Sequence, residues 1–124
     1  MNVVLWIVAS LLAGAFAVAG AMKLSKSREQ LAASGMGWAE DFSAGTVKLI
    51  GALELLAGIG LILPAALDIV PVLVPLAALG LVLMMVGAIV VHLRRGERQM
   101  ALPAVVLLLL AAFVAWGRFG PYAF

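Results

Sequence analysis

"KLIGALELLAGIGLILP", residues 48–64, is a run of leucine, isoleucine, alanine and glycine interrupted by one carboxylate, Glu54. The solvent around that carboxylate decides the fold. The chain has 124 residues, 66% of them hydrophobic and only 11% charged, and its mean hydropathy of +1.24 lies well above that of soluble domains. The solvent is therefore the lipid bilayer, and the chain reads as an integral membrane protein. The run around Glu54 extends over about 45–63, and further apolar runs occupy about 3–22, 72–93 and 101–117. Each approaches the ~20 residues with which a helix crosses hydrocarbon. None has the period-two alternation of a membrane β-strand, and their Ala, Gly, Leu and Val content suits closely packed transmembrane helices. The sequence predicts an all-α fold, a four-transmembrane-helix bundle forming one domain over residues 1–124.

The first run invites a second reading, because the Ala-rich "GAFAVAGA" (14–21) resembles a signal-peptide cleavage region. No Lys or Arg precedes it and it is long enough to span, so it is expected to remain as the first helix.

Orientation follows from the basic residues. Lys23, Lys26, Arg28 and Lys48 flank one connection and Arg94, Arg95 and Arg98 another, which accounts for seven of the eight. Lys and Arg are retained on the cytoplasmic side, so loops 23–44 and 94–100 are expected in the cytoplasm and both termini outside (N-out/C-out), in a bacterial plasma (inner) membrane. Trp6, Trp116 and Tyr122 then fall at the outer interface, where amphipathic rings prefer to lie, and Arg118 is expected to meet an outer partner or lipid phosphates. This bias also explains the net charge of +2, and nothing suggests a nucleic acid partner. With no cysteine, thiol–disulfide exchange, iron–sulfur ligation and thiolate catalysis are excluded.

The longest polar stretch, "SKSREQLAASGMGWAEDFSAG" (25–45), contains Ser27 and Gln30 at capping-box spacing, with Gly35 placed to stop a short helix. Leu31, Met36, Trp38 and Phe42 are expected to rest on the inner membrane interface; the alternative is an ordinary loop against headgroups. "RRGERQ" (94–99) is short enough to make the last two spans an antiparallel hairpin, with Pro103 in the first turn of the last helix. Asp68, between Pro64 and Pro71, is expected to cap a turn or helix.

At 100° per residue Lys48, Gly51, Glu54, Leu55 and Gly58 share an arc of roughly 120°. Glycines on that face admit a neighbouring helix, so the face should point into the bundle. By rise alone Glu54 lies ~13 Å inside the span, where an unpaired charge costs about 2.5–3.5 kcal/mol on insertion scales. It therefore needs a partner or a proton. The first span brings Phe16, Gly20 and Lys23 to one face, and the third stacks Met84, Ala88 and His92 at i, i+4 spacing. A polar cluster of Lys23, Lys48, Glu54 and His92 is expected at the cytoplasmic end, with Gly20, Gly51, Gly58 and Gly87 leaving room around it. Small residues at Ala13, Ala17 and Gly20 suit either a homo-oligomer or packing within the chain.

With Phe16, Gly20, Lys23 and Leu24, the run from Lys48 to Pro64, and Gly87, Ala88, His92, Leu93 and Arg94 in view, the chain resembles the DoxX-like family of small four-helix membrane proteins. The resemblance covers nearly all of it. That family takes its name from a subunit associated with a quinol oxidase and thiosulfate:quinone oxidoreductase, and some relatives accompany oxidoreductases or amine-dehydrogenase maturation. The resemblance thus implies a quinone or redox connection, with membrane oxidoreductase subunits as partners.

The residues themselves bound that chemistry. One histidine offers haem at best a His/Met pair, and His92 with Glu54 is too small a donor set for a tetrahedral metal site, so no metal and no intrinsic cofactor is expected. Met84 and Met85 read more simply as adaptable core packing, and Met100 as part of the interface. A quinone demands less: an apolar slot, hydrogen-bond donors at its carbonyl oxygens and a group that exchanges protons. His92 or Lys23 would donate, Glu54 would relay protons, Phe16 would wall the slot, and Gly20, Gly51, Gly58, Met84 and Ala88 would shape it. The same residues would serve a stand-alone acid–base enzyme on a lipophilic substrate, an isomerase for example, with Glu54 as base and His92 as acid. They would also serve a carrier of protons or small solutes in which Glu54 titrates. Against all three stands a reading without chemistry, in which Lys23, Lys48 and His92 snorkel to the interface and Glu54 only fixes helix register.

Overall fold

The computed structural model describes residues 2–33 and 42–123. Its helices are α1 (Asn2–Ser25), α2 (Arg28–Ala33), α3 (Ala44–Ala66), α4 (Leu73–Arg94) and α5 (Arg98–Phe119). Among the described residues four helices, α1, α3, α4 and α5, are long and apolar enough to cross a membrane, and they follow the four runs legible in the sequence. Polarity is inverted relative to a soluble protein: Leu11 and Leu83 are 66% and 67% exposed while Glu54 is 3% exposed. Hydrocarbon is the solvent that tolerates such a surface.

The chain runs up and down through a ring in which α1 packs on α3, α3 on α4, α4 on α5 and α5 on α1. One end of the bundle holds the two chain ends and the short α3–α4 turn. The other, the loop end, holds α2, the end of α1 and the start of α3, the α4–α5 turn and seven of the eight basic residues. The core of Ala9, Leu12, Leu61, Val74, Ala78, Leu81, Ala111 and Val114 fills the half nearer the chain ends.

Helix ends are set by local chemistry. At α2 the Ser27 amide donates to Gln30 Oε1 (2.9 Å) and the Gln30 amide to Ser27 Oγ (3.2 Å), the reciprocal capping box that the spacing predicts. Ser43 Oγ accepts from the Thr46 amide (3.1 Å) to start α3. Both short turns close as Schellman motifs. In the first, Ile69 N–H donates to the Pro64 carbonyl and Asp68 N–H to Ala65, with Asp68 left-handed at φ 53°. Asp68 therefore acts through its backbone, as a residue type that tolerates this region. In the second, Glu97 N–H donates to the His92 carbonyl (2.8 Å) and Gly96 N–H to Leu93, with Gly96 at φ 73°.

Several expectations need correction. Leu31 does not rest on the membrane interface: it is fully buried against Val47, with Met22 and Phe42 beside it, because α2 folds back under the bundle. Gly35, Met36 and Trp38 lie outside the described residues. Since α5 begins at Arg98, Pro103 falls in the second helical turn, where it withdraws the amide that would reach the Gln99 carbonyl. Arg118 does not face outward either. It is 4% exposed, its Nη1 donates to Asn2 Oδ1 (2.6 Å) and to the Tyr122 carbonyl (2.9 Å), and its guanidinium lies 5.9 Å from the Trp6 ring centre. It ties the two ends of the chain together. Trp116 stacks on Phe113 and meets Tyr122 edge-on at this same end.

Candidate functional site

The site begins with the crossing of α1 and α3. A Cβ on Gly20 would stand 2.5 Å from the Gly51 carbonyl oxygen and 2.8 Å from the Leu55 nitrogen; one on Gly51 would stand 2.7 Å from Lys23 Cβ; one on Gly58 would stand 3.0 Å from the Ala13 carbonyl oxygen. Gly20, Gly51 and Gly58 therefore let two backbones touch. They face the partner helix and do not line a ligand slot, which corrects the role expected for them. The small-residue face of α1, Ala13, Ala17 and Gly20, is likewise used within the chain.

Close approach brings Lys23 to Glu54. The helices are antiparallel, and helical side chains lean toward their own N-terminus, so Lys23 leans inward from the loop end while Glu54 leans to meet it. Lys23 Nζ donates to Glu54 Oε1, and the two residues are 7% and 3% exposed. A pair this buried satisfies both charges at a depth where the carboxylate would be costly alone.

The pair opens onto a cavity of about 490 Å³ between the four long helices at the loop end, within the roughly 300–1,000 Å³ of small-molecule sites. From α1 come Ala15, Phe16, Ala19 and Lys23, and from α3 come Ile50 and Glu54. The facing wall is Met84, Met85, Gly87, Ala88, Val91 and His92 of α4 with Pro103, Ala104 and Leu107 of α5; Phe42 closes on it from the α1–α3 connection. Apolar walls thus surround three polar groups: an ammonium and a carboxylate on one side and an imidazole on the other.

His92 is held from outside the cavity. Its Nδ1 lies 3.2 Å from Glu97 Oε1, and Arg95 Nε donates to the same oxygen (3.1 Å). The bond with His92, then Arg95, holds the Glu97 carboxyl below its ordinary value against the opposing effect of desolvation. When Nδ1 carries the proton shared with Glu97, Nε2 is left as the nitrogen available for other chemistry.

The four-residue polar cluster expected from sequence is therefore divided. Lys23, Glu54 and His92 share one cavity, as do Phe16, Met84, Ala88 and Gly87. Lys48 does not join them: it is exposed, and its Nζ donates to the Leu24 carbonyl (3.0 Å), capping the end of α1. Its place on the Glu54 face was correct to within the arc, but its position one turn from the start of α3 carries it past the cavity to the helix end. Sequence reasoning missed Glu97 because it stands five residues from His92, a spacing that shares no helix face. The available signal was Gly96, whose left-handed turn folds the chain back. Amphipathicity alone places Phe42 and Leu31 at the membrane surface, whereas the structure sets Phe42 on the cavity and buries Leu31 against Val47.

The DoxX-like family model matches residues 7–114, a stretch that contains every cavity residue named above. No curated protein and no solved structure matches the chain.

Proposed function

This chain belongs to the DoxX-like family, and we propose that it serves there as a small membrane subunit of quinone-linked redox chemistry, holding the quinone ring in the cavity beside Lys23, Glu54 and His92. The observation that carries the reading is the buried Lys23–Glu54 pair on the wall of an otherwise apolar cavity in a membrane bundle. Charged residues within transmembrane helices are costly, and they recur where ligands bind or protons move.

The cavity suits a quinone on three counts. Apolar walls of Phe16, Met84, Met85 and Leu107 would cover the ring. His92, carrying a proton on Nε2 as well as the one its Nδ1 shares with Glu97, and the Lys23 ammonium would donate to carbonyl oxygens, one from each side. Glu54, already sharing a proton-bearing contact with Lys23, would pass protons to and from the ring oxygens. A bound quinone would supply the electron-accepting chemistry, and electrons would come from a partner oxidoreductase, since the chain has no cysteine to supply a thiol couple. In the proposed orientation the loop end faces the cytoplasm and protons are exchanged there, past the His92–Glu97–Arg95 group, in a bacterial inner membrane.

A second reading is favoured by one observation, that a single chain holds the whole cavity. A stand-alone enzyme for a lipophilic substrate would use Glu54 as base and His92 as acid. Gentle purification from the native membrane, followed by mass spectrometry of accompanying proteins and organic-extractable molecules, separates the two. A stoichiometric oxidoreductase or retained quinone supports the subunit; a solitary chain carrying a different small molecule supports the enzyme; a chain with neither counts against both.

A further inference from the structure

Resting on the reading of the cavity as a ring-binding site, we propose that its ligand is a tailed amphiphile whose chain leaves sideways into the bilayer through the seam between α1 and α5. The cavity is then loaded from lipid and not from water.

The seam follows from where α1 and α5 touch. Near the chain ends they are locked: a Cβ on Gly117 would stand 2.7 Å from Leu5 Cδ1, Arg118 holds Asn2, and Ala9 and Leu12 share the core with Ala111 and Val114. Toward the loop end these contacts give way to the cavity. Ala15 and Ala19 line it from α1, and Pro103 and Leu107 from α5. By helical rise Ala15 lies ~20 Å from the start of α1 and Pro103 ~24 Å from the end of α5, so the two stand at one level of the bundle. Both are exposed while lining the cavity, which means that the space reaches the bundle surface between them. Ala15 and Ala19, one turn apart, offer only methyl groups there, the smallest obstruction a chiral residue can present.

Other exits are less suited to an apolar tail. On the α3–α4 side Gly87 is also exposed while lining the cavity, but its lining neighbours Ile50, Met84, Ala88 and Val91 are only half-exposed, whereas the α1–α5 seam is exposed from both of its helices. At the loop end a tail would pass His92, Lys23 and Phe42 and emerge among the seven basic residues. From Ala15 to Lys23 the cavity is only ~12 Å deep by rise. A ring placed beside Lys23 and Glu54 therefore leaves a long tail no room inside, and the α1–α5 seam opens directly onto hydrocarbon.

The test uses the whole chain in lipid nanodiscs and two photoreactive benzoquinones with ten-carbon tails, one bearing a diazirine on the ring and one on the tail close to the ring. Adducts are mapped by mass spectrometry with and without excess unlabelled tailed quinone. The ring probe should mark the walls at Phe16, Met84 or Met85, and the tail probe Ala15, Ala19, Pro103 or Leu107, both suppressed by competitor. Suppressible tail adducts at Ile50 or Gly87, or at Phe42 or Val91, with the ring probe still on the cavity walls, would overturn the α1–α5 exit alone. Absence of suppressible labelling by the ring probe would overturn the quinone reading and this inference with it.

Discussion

Replacing Lys23 and Glu54 separately and together tests what the buried pair is for. Lys23→Met strands a carboxylate ten residues beyond the start of α3 at Ala44, ~15 Å along the helix. Insertion scales place such a charge at about 2.5–3.5 kcal/mol, and breaking a buried pair costs about 3–5 kcal/mol. A loss of about 3 kcal/mol is expected, roughly 100-fold in the folding equilibrium. Glu54→Gln should cost less, about 1–2 kcal/mol, because Lys23 lies two residues from the end of α1 at Ser25 and its stem can carry the ammonium out to the interface. The double replacement Lys23→Met with Glu54→Leu leaves no charge behind and should fall within about 1 kcal/mol of the parent. The assay is reversible unfolding in mixed micelles, followed by helical circular dichroism. Additive losses in the double variant would refute the account, since they would mean that each residue acts through unrelated contacts. A cost for Glu54→Gln equal to that for Lys23→Met would refute the asymmetry.

The α1–α3 crossing predicts that Gly20→Ala loses about 1–3 kcal/mol by overpacking in the same assay, because its new methyl group meets the Gly51 carbonyl. Gly80→Ala, with open space at its Cβ, should be neutral or gain up to about 1 kcal/mol from helix propensity. Arg118→Leu removes the bonds to Asn2 and Tyr122 and should release the chain ends, read as faster amide exchange at Gly120, Tyr122 and Ala123; unchanged exchange there would contradict the tie. Glu97 is held below the ordinary carboxylate value, so it stabilises the α4–α5 turn fully above the unfolded carboxylate value, and that contribution is lost as pH falls through the lowered one. The stability difference between the parent and Glu97→Gln should accordingly shrink in acid, and a difference that grows in acid would reverse the sign of the argument.

The four spans were legible because hydropathy and length answer to a single solvent constraint, and Glu54 was legible because a carboxylate in hydrocarbon demands an explanation. The glycines beside Glu54 announced the close approach of another helix, and the structure has one at Gly51 and Gly58, with Gly20 as its counterpart on α1. Helical spacing also brought Lys23 and His92 toward Glu54. Lys48 and Arg118 were harder to place, since a long cationic side chain near a helix end reaches a carbonyl, a headgroup or a neighbour equally well, and only the packed ends of α1 and α5 choose among these. Glu97 and Leu31 owe their positions to chain reversals, the one at Gly96 and the other at the Ser27–Gln30 cap. Periodicity along a helix carries no information on the direction of the chain beyond a turn.

Whether a quinone ring occupies the Lys23–Glu54–His92 cavity is tested most directly by titrating a decyl-benzoquinone into the purified chain in nanodiscs, with the parent compared against Glu54→Gln. Saturable binding is expected in the parent, weakened about tenfold or more in the variant, as the loss of a charged hydrogen-bonding group at a ligand implies. No saturable binding in the parent, or equal affinity in both, would contradict the assignment of this cavity as the site.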